Sequence, residues 1–227
     1  MKLPFTRSQF LDVFAAYNGA LWPAALLLWL VATLLAVRML GRRPPGGRFV
    51  AGYLAVLWLW NSVAYHGVFF RKVNPAALGF AILFGVESLL LAGVAVFGRG
   101  LRSAAHAPRP LGERRSFAVN WRPAAGAAFL LAAVLYPFAA AAGGGRWPRL
   151  PTFGVPCPTV LFTTGVFLRG EAELREILSA APLVWCVFGG SAAILLGMVP
   201  DYSLGLAGAA IVADIVGERR RKRRRRV

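Results

Sequence analysis

Five polar residues, Asn61, Tyr65, His66, Asn74 and Glu87, interrupt residues 49–97, a stretch that is otherwise mostly apolar. Glu87 sits near the middle of its second half, where an ionised carboxylate costs from about 3 to more than about 10 kcal/mol depending on the scale. Such a group must hold a proton, face water or meet a partner, which makes it a candidate relay for a proton or cation. The structural alternative is a neutral acid hydrogen-bonded to a neighbouring helix. In the first half, Trp58, Asn61, Ser62 and Tyr65 follow the i, i+3, i+4, i+7 spacing of one helical face, with His66 turned about 100° away. If the two halves run antiparallel, Asn61 and Glu87 come to similar depth and a hydrogen bond between them is expected. His66 lies about 9 Å nearer one surface at 1.5 Å per residue, which argues against a shared metal. The expectation is a path from an outer mouth at His66, Arg71 and Lys72 down to Asn61 and Glu87. Tyr65 and His66 also fit a simpler role as interfacial aromatics.

A second candidate is Pro156-Cys157-Pro158-Thr159. A cysteine at a helix start feels the positive end of the helix dipole, a setting that suits a reactive thiol or an anion, and discontinuous helices of this kind build transporter sites. The plainer alternative is that the prolines end a loop and start a helix, with Cys157 packed as a small apolar residue. Cys157 and Cys186 are expected at different depths, beyond the roughly 7 Å between alpha carbons that a disulfide spans. Two cysteines, with no C-x-x-C and no Cys/His metal spacing, give no reason to expect a metal or cofactor.

These residues need elements to hold them, and composition says which. The 227 residues are 58% hydrophobic and 15% charged, with a mean hydropathy of +0.60, whereas a globular chain has about 25% charged residues. Several apolar runs reach the roughly 17–25 residues that cross a bilayer as helix. The start of the chain is broken by Arg7 and Asp12 and is not expected to be a cleaved signal. Residues 1–19 instead suggest an amphipathic interfacial helix: Thr6 and Gln9 form a capping box, Phe10, Val13, Phe14 and Tyr17 follow at helical spacing, and Asn18-Gly19 would turn the chain into the membrane. A first helix packed on the rim of the bundle fits equally well.

Residues 20–217 divide into seven segments. The first three run over 20–40, 49–70 and from Asn74-Pro75, as N-cap and first turn, to 97. The fourth covers 123–142, with Pro137 inside it and three glycines to end it. The fifth, 157–168, would span only about 18 Å as helix, so residues 150–156 must enter the membrane region as irregular backbone, buried in protein or lining a wet cavity. The sixth and seventh cover 180–198 and 203–216. Gly189, Ala193 and Gly197, and Gly205, Ala209, Ala213 and Gly217, repeat every four residues and predict an antiparallel hairpin closed through two smooth faces. Residues 98–121 are the longest water-exposed piece. Alternate connections carry 20 of the 26 lysines and arginines, which places the N-terminus outside and the C-terminus in the cytoplasm. The basic tail, 218–227, suits anionic lipid at about 1 kcal/mol per charge. It has no nucleic-acid recognition fold beside it.

Several stretches together resemble an uncharacterised family of bacterial multi-pass membrane proteins, domain of unknown function 6064. They are residues 3–18 (LPFTRSQFLDVFAAYN), 64–70 (AYHGVFF) with 74–77 (NPAA), 152–159 (TFGVPCPT) and 189–193 (GGSAA). The resemblance implies a multi-pass bacterial membrane protein and supplies no activity.

The expected architecture is therefore all-α: a seven-segment helical bundle in the plasma (inner) membrane, its oligomeric state open. The leading functional expectation is binding or passage of a small solute or ion past Asn61, Tyr65, His66, Asn74 and Glu87, with Cys157 and Thr159 as a substrate-facing helix start. One alternative is a membrane-embedded enzyme working on lipid or thiol chemistry, weakened because no nucleophile and base stand at workable spacing. Another is a non-catalytic assembly or sensor protein whose polar residues lock the helices.

Overall fold

The computed structural model describes residues 3–42, 44–98, 102–103, 121–171 and 174–224. Its architecture is all-helical. Thr6 starts α1 (Arg7–Leu40) through the capping box expected from the sequence, Thr6 Oγ1 accepting from Gln9 N and Gln9 Oε1 from Thr6 N. The remaining helices are α2 (Gly47–Trp60), continued by a π-helical stretch (Asn61–Phe69), then α3 (Ala77–Phe97), α4 (Trp121–Ala142), α5 (Pro156–Arg169), the single turn α6 (Arg175–Leu178), α7 (Ala180–Leu196) and α8 (Ser203–Arg224). A two-residue antiparallel pairing joins Arg102–Ser103 to Gly170–Glu171. The expected exposed stretch 98–121 lies almost entirely outside the described residues.

Five stretches are long and apolar enough to cross a bilayer: Arg7–Leu40, Ala77–Phe97, Trp121–Ala142, Arg175–Leu196 and Val199–Arg223. Their outer faces carry large apolar side chains open to the surroundings, Ile82 at 69%, Leu89 at 74% and Ile194 at 70%, a distribution that suits lipid rather than water. The fourteen residues of α5 are the inverse case: all but Arg169 are buried. This short helix is the axis of the bundle, packed by α2, α4, α7 and α8. Its lead-in is irregular and sealed, with Pro151, Phe153, Gly154 and Val155 buried, so the backbone there is sheltered by protein, as a dry interior demands.

Two sequence expectations need correction. The chain does not turn at Asn18-Gly19; α1 is continuous through it and through Pro23. Asn18 is wholly buried and holds the α5 lead-in, its Nδ2 donating to Pro148 O and Leu150 O at 2.7 Å each and its Oδ1 accepting from Thr152 Oγ1. Tertiary hydrogen bonds therefore use a side chain that local propensity assigns to a turn. Val13, Phe14 and Tyr17 are likewise buried, with Phe14 and Tyr17 packed beside Tyr65, so the apolar stripe of 1–19 meets protein rather than headgroups.

The second correction concerns the hairpin of α7 and α8. Gly189 and Ala193 do face inward: a Cβ on Gly189 would lie 3.1 Å from Leu204 Cδ1. On α8, however, Gly205, Ala209 and Ala213 point outward, and the buried face is Leu204, Ala207, Gly208, Ile211 and Asp214. Gly208 makes the close approach, since a Cβ added to it would stand 3.1 Å from Cys186 Cβ. Gly197 ends α7 with φ +65° instead of packing. Helix α8 also runs past residue 217 to Arg224, so the basic tail begins as its last turns.

Candidate functional site

The π-helical stretch determines which polar groups meet. Bonding of i→i+5 type brings residues five apart towards one line, so Asn61 and His66 both turn inward along with Tyr65, and all three are buried. The α-helical face expected from Trp58, Asn61, Ser62 and Tyr65 is accordingly split. Trp58 Nε1 donates to Thr163 Oγ1 at 3.0 Å and Asn61 Nδ2 to Thr159 Oγ1 at 2.9 Å, both on α5. Ser62 donates instead to Ala81 O on α3 at 2.7 Å, while Tyr65 turns to α1.

His66 occupies a box of aromatic rings. Tyr65, Phe70, Phe80, Phe84 and Trp185 all lie with centroids 4.8–5.9 Å from the imidazole. The ring is 0% exposed, and neither Nδ1 nor Nε2 has a hydrogen-bond partner among the described residues. The expected outer mouth is therefore absent from this conformation. Arg71 and Lys72 are exposed at the end of the helix, Lys72 Nζ lying 5.6 Å from the Phe69 ring, but Phe70 closes the way inward and is itself covered by Phe5 and Phe10.

Glu87 is 1% exposed and its Oε1 has no partner among the described residues. The expected bond to Asn61 does not form, because the register of α2 against α3 sets them at different depths: Ser62, next to Asn61, donates to Ala81 O, and Ser88, next to Glu87, donates to Ala55 O. Asn61 Oδ1 is without a partner among the described residues as well, whereas the Trp185 indole stands beside the Cys157 thiol. Unsatisfied groups thus lie on the π-helical continuation of α2, where Phe84 joins His66 to Trp58 and Trp185, and on α3, where Glu87 lies at the level of Ala55, to whose carbonyl the adjacent Ser88 donates. Buried polar groups are paired in the great majority of cases, so this concentration is the most unusual feature of the interior. Asn74 belongs elsewhere: it caps the turn leading into α3, its Oδ1 accepting from Ala76 N at 3.1 Å.

The α5 start is as the sequence predicts in position and otherwise in accessibility. Cys157 follows Pro156 at the first turn of the helix, and both cysteines are buried and free. Thr159 is fully buried, donating to Val155 O and accepting from Asn61. Beside the thiol stands the carboxyl of Asp201, which accepts from the Tyr136 hydroxyl. Cys157 therefore faces protein rather than a cavity.

A further cluster lies at the opposite end of the bundle. Asp214 on α8 meets Arg122 of α4, Oδ1 to Nε at 2.7 Å, and Arg175 of α6, Oδ2 to an Nη at 2.8 Å, and both arginines also donate to Gly170 O. Arg169 closes the same end by donating to Pro123 O and Met39 O. Asp201 and Asp214 are functional-looking residues that the sequence reading misses. The rule that marks Glu87, an acid within an apolar segment, marks Asp214 equally. The aromatic partners of His66 give no such signal, because their residue types are ordinary in an apolar core.

No curated protein and no solved structure matches the chain. Residues 7–226 match a family described as "Family of unknown function (DUF6064)", in agreement with the stretches that carry the resemblance, and the chain belongs to that family.

Proposed function

We infer that the protein is a seven-crossing inner-membrane protein that binds, or passes, a small polar solute or ion at the unpaired groups around His66, Asn61 and Glu87. The observation that carries this is the set of unsatisfied buried atoms among the described residues, His66 Nδ1 and Nε2, Asn61 Oδ1 and Glu87 Oε1, which offer donors and acceptors at successive depths along the α2–α3 interface. Access requires movement of the aromatic cover at Phe5, Phe10 and Phe70, and the π-helical stretch beneath it is the type of irregularity that accompanies functional sites.

The two further crossings are the helical run Gly47–Phe69, through α2 and its π-helical continuation, and α5 with its buried lead-in. The positive-inside rule orients the bundle with the C-terminus in the cytoplasm. Arg48, Arg122, Arg169, Arg175 and Arg219 gather at one end through their contacts with Val96, Asp214, Met39 and Glu176, which supports that orientation. The basic turns of α8 would then meet anionic lipid headgroups. The thiol-enzyme alternative has less support, since Cys157 has no open approach.

The test is thermal unfolding in detergent against ions and small polar metabolites, comparing wild type with Glu87→Gln. A guest at one hundred times its dissociation constant stabilises by about 2.7 kcal/mol. A compound that raises the wild-type melting temperature and loses that effect in the variant is expected. If none acts on the wild type, the polar core is a device for locking helices together.

A further inference from the structure

Away from the His66 core, α1 and α4 part to leave a cavity of about 250 Å³. One wall is the α1 face of Trp22, Leu26 and Trp29, spaced i, i+4, i+7; Phe138 of α4 forms the other, the exposed Trp147 stands at its open end, and Phe153, buried against Phe162, forms the floor. Trp22, Leu26 and Phe138 are 53%, 45% and 58% exposed, so the cavity opens sideways, between two helices long and apolar enough to span a bilayer. Its inner end is fixed by Trp29, whose Nε1 donates to Val134 O at 2.8 Å and whose ring lies 6.0 Å from that of Phe138. Ordinary helix pairs interdigitate and leave no such space. This one is held open by the wedge of irregular backbone that Asn18 ties down.

We propose that this groove is a binding site for one acyl chain of an anionic phospholipid, entered from the bilayer. The lining is apolar and aromatic, and the volume falls below the roughly 300–1,000 Å³ of a site that encloses a compact drug-sized ligand, which suits a linear chain segment. Tryptophans at the outer end are the side chains that sit at headgroup level. Arg146, next to Trp147 in the chain, is exposed and has no ion pair among the described residues, whereas Arg149 is held by Asp12 at 2.6 Å. Arg146 is therefore the cation available for the lipid phosphate. The site is independent of any guest at His66.

The experiment is native mass spectrometry of the detergent-purified protein after stepwise delipidation, followed by re-addition of phosphatidylglycerol or phosphatidylcholine. Leu26→Trp fills the groove from an exposed position, and Leu34→Trp places the same bulk on α1 at an exposed position outside it. One phospholipid retained by wild type and Leu34→Trp, with occupancy reduced at least tenfold in Leu26→Trp at unchanged melting temperature, is the expected result. Arg146→Glu should abolish the preference for phosphatidylglycerol. Equal retention in the two tryptophan variants overturns the site, and an unchanged headgroup preference overturns the role of Arg146. A wild-type dimer that Leu26→Trp dissociates would assign the groove to a second copy of the chain and likewise overturn it.

Discussion

The Arg122–Asp214–Arg175 cluster is largely buried and the His66 box wholly so, yet they treat polar atoms in different ways. In the first, each carboxylate oxygen stands against a guanidinium, Oδ2 through a hydrogen bond to Arg175 and Oδ1 through a charge contact with Arg122 Nε that is not aligned as a hydrogen bond, and both guanidinia find a second acceptor at Gly170. In the second, an imidazole with two hydrogen-bonding nitrogens is surrounded by carbon. A buried polar group left unpaired costs about 1–3 kcal/mol, which a purely structural interior would avoid by using phenylalanine. Paired burial marks where this protein is fastened, and under the proposed function unpaired burial marks where a guest is received.

The largest effect that follows lies at the fastened end. Asp214→Ala leaves two arginines without their shared counter-charge, and breaking a buried pair in this way costs about 3–5 kcal/mol. Its melting temperature in detergent should be the lowest of the variants considered. A loss below about 1 kcal/mol would mean that the cluster is wet and contributes as a surface pair does. Asn18→Ala comes next. It strips the donor from Pro148 O and Leu150 O and the acceptor from Thr152, and about 2 kcal/mol of destabilisation is expected, with faster proteolysis at residues 146–153.

The physical reasons for success and failure in reading the sequence differ between these regions. Apolar run length and the shortfall of segment five are one-dimensional properties, and they imply irregular backbone ahead of α5 that is either buried in protein or lines a wet cavity; the structure shows it buried. The capping box at Thr6 is equally local. The partners of Asn18 lie about 130 residues away, and nothing near Asn18 distinguishes a tie from a turn. Periodicity fails for the His66 site because it assumes α-helical spacing throughout, whereas the stretch from Asn61 is π-helical and regroups the side chains. On α8 the four-residue stripe of small residues is present but faces outward, since Leu204, Gly208 and Ile211 fit α7 more closely.

That last point separates two positions which the sequence treats alike. Ala193→Leu overfills the α7 face buried against the bundle and should cost about 1–3 kcal/mol. Ala209→Leu, on the exposed stripe of α8, should change stability by no more than about 0.5 kcal/mol. Equal losses in thermal unfolding would return the packing face to Gly205, Ala209 and Ala213.

The smallest expected change in stability carries the sharpest contrast with Asp214. His66→Phe puts a ring of similar shape into a box already made of Tyr65, Phe70, Phe80, Phe84 and Trp185, and removes two unpaired nitrogens. Replacing a buried polar group that has no partner with an apolar one of the same form is neutral or favourable. The melting temperature should stay the same or rise, by an amount equivalent to less than about 1 kcal/mol, while any stabilisation by a small polar guest is lost. Loss of several kcal/mol instead would show that the imidazole nitrogens are satisfied in the membrane, by ordered water for example. The His66 box would then belong with the Arg122–Asp214–Arg175 cluster as a fastening, and the distinction between the two regions would disappear.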